Sequence, residues 1–341
     1  MSPEPVSPHV VSLPTVSVVI PALNAVEWIG LTIESICAQT YPKDLIEIVV
    51  VDDGSVDGTA EQATRRLEAH GLEHTILRNN VPQGPSASRN RGWRHATGTW
   101  IQFLDADDLL DSRKIDLQAR SAAEAPPNVA VIFSPWARLA YANGAWSPEA
   151  AFEPSIGADQ TLDLVRADNF IATGSQLIRR TALERVEGYV EAYRFVEDVD
   201  LLLRIGFDGG GFRSVPSNQP LFLYRKRRGS ISTSNDRAFI DGCVRNARTA
   251  ERYWLDREGL TSPRAKVITD VYYMAARYLS EHDLAAFREI VKDIDRVSPH
   301  FMPEGPPALR ILTRVLGYPR AERCAFQYRR FKRSVGIHAG A

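Results

Sequence analysis

This 341-residue chain has few cysteines, almost no net charge and no long apolar runs, and each of these features argues against a class of protein. The three cysteines (Cys37, Cys243 and Cys324) are far apart and lack Cys-x-x-Cys spacing, which argues against a disulfide framework or a zinc site and fits a reducing compartment. The formal net charge is −1, so no overall field would attract nucleic acid. The longest apolar runs are the length of a strand, too short to span a membrane.

Residues 1–13 are rich in Pro, Ser and Val and lack the basic stretch that opens a signal peptide. We expect a flexible leader there and a cytoplasmic protein. Hydrophobic residues make up 44% of the chain and charged residues 24%, which is ordinary for a globular protein. The length suits one large α/β domain with an appendage, or two domains.

Short apolar strands alternate with helical patterns along the first 133 residues, and this order predicts a Rossmann-like, mostly parallel sheet with helices on both faces. Strands are predicted at 16–20, 46–51, 75–77, 100–104, 129–133, 175–179, 212–215 and 221–224. Helices are predicted at 26–38, 58–70, 84–96, 114–122 and 196–206. Residues 135–154 are predicted to be irregular. From about 235 the pattern is helical, so we place a boundary near Ser234.

Three polar clusters follow predicted strands: Pro21-Ala22-Leu23-Asn24, Asp52-Asp53 and Asp105-Ala106-Asp107-Asp108. In parallel sheets, ligands bind beyond the carboxyl ends of the strands, so we expect the clusters to converge on one crevice. The three carboxylates of the last cluster would repel each other, and a divalent cation that also binds a diphosphate would remove that repulsion. The alternative is an acidic turn that caps the next helix.

Short motifs occur in a fixed order along the chain. They are Val18-Val19-Ile20-Pro21-Ala22-Leu23-Asn24, Val50-Val51-Asp52-Asp53-Gly54-Ser55, Ser88-Arg89-Asn90-Arg91-Gly92, Phe103-Leu104-Asp105-Ala106-Asp107-Asp108, Gly188-Tyr189, Glu197-Asp198-Val199-Asp200-Leu201, Leu223-Tyr224-Arg225 and Ser230-Ile231-Ser232. The series resembles the family 2 glycosyltransferases, which are inverting enzymes with the GT-A fold. The resemblance spans residues 16 to 232. It implies a GT-A domain at 14–234, with a nucleotide-sugar half (14–133) and an acceptor and base half (134–234), followed by a helical extension at 235–341.

The resemblance implies a donor site for a nucleotide-diphosphate sugar. Pro21, Ala22 and Asn24 would border the base and ribose. Asp53 would accept hydrogen bonds from the base, and a carboxylate suits the N–H of uracil. Asp52 is expected instead to hold its own turn.

The metal pair implied by the resemblance is Asp105 and Asp107, with Mn²⁺ or Mg²⁺ as the cofactor that neutralises the diphosphate. Arg89 is implied to face the diphosphate; alternatively it is a helix-surface arginine or a partner for a strand-end aspartate. Arg227 stands where the family usually has histidine. It would grip phosphate oxygens with its guanidinium, or else belong to an exposed basic loop.

The acidic cluster Glu197-Asp198-Val199-Asp200 is the place where we expect the general base. Inversion by direct displacement needs a base that takes the proton of the acceptor hydroxyl. No histidine occurs between His95 and His282, so a carboxylate is expected. The family's base corresponds to Asp198, with Glu197 beside it. The alternative is simple acidity at a helix amino terminus, which the helix dipole favours.

The sequence therefore predicts an inverting, metal-dependent glycosyltransferase that moves a sugar from a UDP-sugar to a glycan or lipid-linked acceptor, in surface polysaccharide or glycolipid synthesis. An inactive nucleotide-sugar-binding subunit is the alternative. A nicotinamide dehydrogenase is disfavoured, because no Gly-x-Gly-x-x-Gly follows the first strand.

The last helix carries Arg329, Arg330 and Lys332 beside Phe331. Such a helix is a candidate for peripheral contact with the inner face of a membrane, whereas a solvated or oligomeric helix is the preferred interpretation.

Overall fold

A computed structural model describes residues 12–142, 145–226 and 235–334, which divide into two compact units. The first unit contains the described residues up to 164 and from 168 to 226. The second contains 165–167 and 235–334. Within these ranges, no helix is both long enough and apolar enough to cross a membrane.

The strands of the first unit alternate with helices along the chain. The strands are β1 (Val16–Ala22), β2 (Ile46–Asp52), β3 (His74–Arg78), β4 (Trp100–Phe103), β5 (Leu109–Leu110), β6 (Val129–Phe133), β7 (Trp136–Ala142), β8 (Ala145–Pro148), β9 (Gln176–Arg179), β10 (Gly211–Ser214) and β11 (Phe222–Arg225). The helices up to residue 226 are α1 (Ile29–Cys37), α2 (Thr59–His70), α3 (Pro85–His95), α4 (Lys114–Ala123), α5 (Gln160–Val165), α6 (Arg180–Arg185) and α7 (Glu197–Phe207).

The main sheet has the strand order β10-β6-β9-β4-β1-β2-β3. β1 lies between β2 and β4 and runs parallel to both, whereas β9 runs antiparallel to its neighbours β4 and β6. The central strand is buried along nearly its whole length, which explains its continuous apolar sequence. The predicted α/β fold with a mostly parallel sheet is confirmed.

A second, four-stranded sheet has the order β5-β11-β7-β8. The prediction that residues 135–154 are irregular is therefore wrong, because β7 and β8 lie there. β7 pairs with β11, a strand more than 80 positions later in the sequence, so the partner that stabilises it is not local. This sheet carries the end of β11 past the acidic segment that follows β4.

The second unit is helical, as the sequence predicts for the end of the chain. Its helices are α8 (Asp236–Arg257), α9 (Ser262–His282), α10 (Leu284–Val297), α11 (Pro307–Leu316) and α12 (Tyr318–Ser334). Trp254 and Tyr272 are fully buried between α8 and α9. Tyr273, Phe301 and Tyr318 form an aromatic cluster with ring centroids 5.0 to 5.8 Å apart.

A fully buried lysine joins α4 to the main sheet of the first unit. The Lys114 ammonium group donates to the side-chain oxygens of Gln102 on β4 and Gln118 on α4. These two amides in turn donate to the carbonyl oxygens of Gly174 and Ser175, over 3.0 and 2.8 Å. Burial lowers the pKa of Lys114 well below its ordinary value. The amine is therefore easier to deprotonate than that of an exposed lysine, and it is the centre of a polar network that holds the turn at 173–175.

This lysine should make stability depend on pH. The unfolded chain titrates Lys114 near 10.5, above the lowered pKa of the folded state, so between the two values the unfolded state binds more protons and stability rises with pH. Relative to a Lys114→Met variant, the wild-type free energy of unfolding should increase as the pH rises toward 10, by up to about 1.4 kcal/mol per pH unit. Urea unfolding of both proteins measures this difference, and parallel pH dependences would contradict a lowered pKa of Lys114.

Candidate active site

The three polar clusters predicted to converge follow neighbouring strands of the main sheet. Ala22 at the end of β1 pairs in register with Asp52 at the end of β2, and its carbonyl oxygen accepts from the Asp53 N–H over 2.7 Å. On the other side of β1, the N–H of Leu104 donates to the Val19 carbonyl over 3.0 Å as β4 ends. Because the three strands are parallel, these clusters leave the sheet at the same edge.

Asn24 connects the segment after β1 to the segment after β2. Its backbone is left-handed (φ 48°), a conformation that asparagine tolerates better than most residues. Its N–H donates to the Ser55 hydroxyl over 2.9 Å, and its side-chain oxygen accepts from the Val56 N–H over 3.1 Å. Pro21 is half-buried and Asn24 is exposed. Their contact with a base or ribose stays a prediction.

Asp52 has the structural environment that the sequence suggests. Its side chain accepts from the Ser55 N–H and from the Arg78 guanidinium, each over 3.2 Å. Gly54, at φ 86°, makes this tight turn possible.

Asp53 is buried and holds the loop that leads into α3. One carboxylate oxygen accepts from the Asn79 amide (2.6 Å) and the Gln83 N–H (2.9 Å), and the other from the Gly84 N–H (2.8 Å). Recognition of a base by Asp53 would use remaining lone pairs of this carboxylate, and it stays a prediction.

Arg89 on α3 is 4% exposed and bridges two distant acidic residues. Its guanidinium donates to Asp105 over 2.8 Å and to Glu197 over 2.9 Å, and its Cζ lies 5.3 Å from the centre of the Tyr189 ring. Burial alone would lower the pKa of Arg89, but the charges of Asp105 and Glu197 hold it well above the ordinary value. Of the roles considered for Arg89, the structure shows an ion pair with a strand-end aspartate, Asp105. Contact with a diphosphate stays a prediction.

The Gly188-Tyr189 motif explains how Tyr189 comes to lie beside Arg89. Asn90 accepts from the Tyr189 N–H (2.9 Å) and donates to its carbonyl oxygen (2.8 Å), so α3 holds this segment by its backbone. At Gly188, with φ 72°, a Cβ would come within 2.4 Å of the Asn90 side-chain oxygen. Only glycine fits there.

The acidic segment after β4 contains one buried and two partly exposed carboxylates. Asp108 is 2% exposed and accepts from the Arg225 N–H over 2.8 Å, while the Arg225 side chain donates to the Asp107 carbonyl oxygen. Burial, followed by the charges of Asp107 and Asp105, raises the pKa of Asp108 well above its usual range. Asp108 is thus a packing residue, and Asp105 and Asp107 are the candidates for contact with a ligand.

The carboxylates of Asp105 and Asp107 fit a cation that a substrate also binds better than a metal site made only of protein ligands. Among the described residues, no three histidine, cysteine or acidic side chains are grouped closely enough to hold a metal. Mg²⁺ is commonly bound by one or two carboxylates together with substrate phosphates, and the Asp105-x-Asp107 pair can supply that. Arg89 occupies only one carboxylate oxygen of Asp105.

Asp198 lies in the first turn of α7, next to Glu197. Its carboxylate accepts from the Thr173 hydroxyl (3.3 Å) and the Val199 N–H (2.8 Å). Burial of the carboxyl group, followed by the charge of Glu197, raises the pKa of Asp198 to about 7. No motif in the sequence pointed to Thr173. Its role follows from the turn at 173–175 that the Lys114 network holds.

The backbone just before this acidic pair is strained. Val196 has φ 56°, a left-handed conformation that is costly for a β-branched residue. Such strain persists only where the surrounding structure imposes it, and it is common at functional sites. Asp200, by contrast, is buried and paired with Arg204 over 2.8 Å, one helical turn further on, so its role is structural. Arg227 lies outside the described residues.

Comparisons with known proteins identify the family and the fold of this chain. Residues 17–187, half of the chain, match the family model "Glycosyl transferase family 2". A 109-residue segment is 37% identical to an uncharacterised glycosyltransferase of Rickettsia felis; it covers 32% of this chain but only 17% of that relative's length.

Solved structures share the fold over nearly the whole chain. S. aureus TarS in complex with UDP-GlcNAc has a TM-score of 0.68 at 18% identity, over 93% of this chain and 92% of that one. A mannosyltransferase of Pyrobaculum calidifontis, in complex with GDP-Man and Mn²⁺, has a TM-score of 0.50 at 22% identity, over 95% and 89% of the two chains.

The fold is therefore GT-A, and the class of protein is a glycosyltransferase. The chain belongs to glycosyl transferase family 2. The family and the enzyme class predicted from the motif series are confirmed.

Replacement of Arg89 should destabilise the first unit. Arg89→Met leaves Glu197, whose side chain is 14% exposed, without its cation, and we expect a loss of about 3 kcal/mol in the free energy of unfolding. The Asp105 side chain is 38% exposed, so solvent screening limits what its ion pair with Arg89 contributes to that free energy. The matched control is Arg94→Met on the same helix, because Arg94 and Glu191 form a half-exposed pair at 3.6 Å worth less than about 1 kcal/mol. Equal losses in urea unfolding would contradict the bridging role.

Proposed function

We propose that this glycosyltransferase inverts the anomeric centre as it moves a sugar from UDP to a hydroxyl of a glycan or lipid-linked acceptor, in surface polysaccharide or glycolipid synthesis. The observation that carries the proposal is the Asp105–Arg89–Glu197 bridge. It ties the acidic segment after β4 to the helix that presents Asp198. The groups for leaving-group stabilisation and for proton removal are thereby held by one buried cation.

Asp198 is the proposed general base. The acceptor oxygen attacks the anomeric carbon from the face opposite the diphosphate while Asp198 takes the hydroxyl proton. The new carbon–oxygen bond forms as the bond to the phosphate oxygen breaks. A base works best when its pKa is near the working pH, and a value of about 7 meets that condition. The Thr173 hydroxyl orients the carboxylate of Asp198. The charge of Glu197, which is paired with Arg89, helps to raise the pKa of Asp198.

Asp105 and Asp107 would hold Mn²⁺ or Mg²⁺, which when bound would offset the negative charge of the departing diphosphate. Support for this comes from the two partly exposed carboxylates after β4, and from the Mn²⁺ in the Pyrobaculum calidifontis complex.

The donor side is proposed to lie beyond the ends of β1 and β2, where Pro21, Ala22, Asn24 and Asp53 would contact the nucleoside. Uridine is the proposed base, because a carboxylate such as Asp53 can accept from its N–H and because the S. aureus relative of this fold binds UDP-GlcNAc. Arg227, outside the described residues, is proposed to grip the diphosphate.

Asp198→Asn should strongly reduce turnover but leave donor binding intact. Loss of a general base typically costs 10²- to 10⁴-fold in rate, whereas stabilisation by UDP-sugar in a thermal shift assay should persist. The matched control, Asp208→Asn at the other end of α7, should keep its turnover. Unchanged turnover in Asp198→Asn would remove the base assignment and favour another base, whereas donor binding without any turnover by the wild type would favour an inactive nucleotide-sugar-binding subunit.

The wild-type rate should fall on the acid side of neutrality. Asp198 accepts a proton only as the carboxylate, so kcat/KM for the acceptor should rise with pH and level off above about 7, with a tenfold loss for each pH unit well below that value. The pH profile of kcat/KM for the acceptor, at saturating donor, measures this limb. A profile that is flat between pH 5 and 8 would exclude Asp198 as the group that titrates.

Donor affinity should depend on a divalent cation. Chelation by EDTA, or Asp107→Asn, should weaken UDP-sugar binding by more than about 10- to 100-fold. That range is typical when a residue that only supports a metal ligand is replaced. Isothermal titration with and without Mn²⁺ measures the effect, and Asp116→Asn, on an exposed pair with Arg120, is the control. Equal affinity before and after chelation would rule out the cation.

A further inference from the structure

The end of the chain has a charge unlike the rest of the protein. Between residues 307 and 334 there are eight basic residues and one acidic residue, a formal charge of +7 in a chain whose net charge is −1. These residues form the α11–α12 pair, two helices packed against each other and separated by Gly317. The acidic residue, Glu322, is fully buried and paired with Arg329.

The remaining described arginines of the α11–α12 pair face solvent. They are Arg310, Arg314, Arg320, Arg323 and Arg330. None of them forms an ion pair with a described residue. Five unpaired cations within two short helices make a local positive surface, which would attract an anionic partner.

The same helices expose large apolar side chains. On α11, Ile311 and Val315 are 61% and 74% exposed and lie one turn apart, on a face next to that of Arg310 and Arg314. On α12, Tyr328 and Phe331 are 58% and 60% exposed. The opposite side of α11 is buried through Leu309 and Thr313, so the exposed aliphatic pair is not part of the core.

We propose that the α11–α12 pair docks on an anionic lipid bilayer. A helix that exposes both aliphatic side chains and arginines binds at the boundary between head groups and acyl chains. The charge disfavours a second copy of the same face, because the two positive surfaces would repel. Nucleic acid would neutralise the arginines but offers no apolar phase for Ile311 and Val315. The inference does not depend on the proposed reaction.

The test is vesicle flotation of the full chain. Vesicles of phosphatidylcholine mixed with phosphatidylglycerol should bind the wild type at low salt, and binding should fall as salt screens the arginines. Phosphatidylcholine alone should bind it much more weakly. Binding that is absent, or equal for both compositions, would overturn the proposal.

A matched pair of variants locates the surface. Arg314→Gln/Val315→Ser should bind at least tenfold more weakly, because each arginine near an anionic surface contributes about fivefold and an inserted aliphatic side chain adds to that. The control, Arg252→Gln/Leu255→Ser, removes one exposed arginine and one exposed leucine from α8 and should bind like the wild type. Thermal unfolding checks that both variants fold. Equal binding by the two variants, or loss of a self-associated form in sedimentation only for the first, would contradict docking on lipid.

Discussion

A buried guanidinium is the constraint on which the site of this glycosyltransferase depends. Arg89 is almost fully enclosed, and a charge in that position is tolerated only with close counter-charges. Asp105, just after β4, and Glu197, at the start of α7, supply them. The acidic segment, the helix of the proposed base and α3 are thereby held in one geometry, while Tyr189 lies against the same cation.

Burial near this ion pair also explains the raised pKa values of two neighbouring carboxyl groups. Removal from water raises the pKa of Asp108 and that of Asp198, but the outcomes differ. Asp108 is sealed in by the backbone of Arg225, whereas Asp198 keeps part of its surface open and has a pKa of about 7. The same physical effect thus produces a packing residue in one place and a group suited to proton transfer in the other.

A polar network around Lys114, in the interior of the first unit, supports the site that Arg89 holds together. The turn that carries Thr173 is fixed through the carbonyl oxygens of Gly174 and Ser175, which accept from two glutamines that share the buried Lys114. Main-chain groups in such a turn must find partners when they are buried, and here side chains from β4 and α4 supply them. Through the Thr173 hydroxyl, this network reaches the carboxylate of Asp198.

Local sequence was enough to determine the parallel core, the order of its polar segments and the family, because apolar runs, strand-end aspartates and special glycines such as Gly54 leave marks in the chain itself. It could not determine β7 and β8, since β7 is stabilised by a strand far along the sequence. Nor could it choose among the alternatives for Arg89, or find Thr173 and the exposed face of α11. Those features depend on which side chains meet after folding, and only the tertiary structure decides burial, pairing and the resulting shifts in pKa.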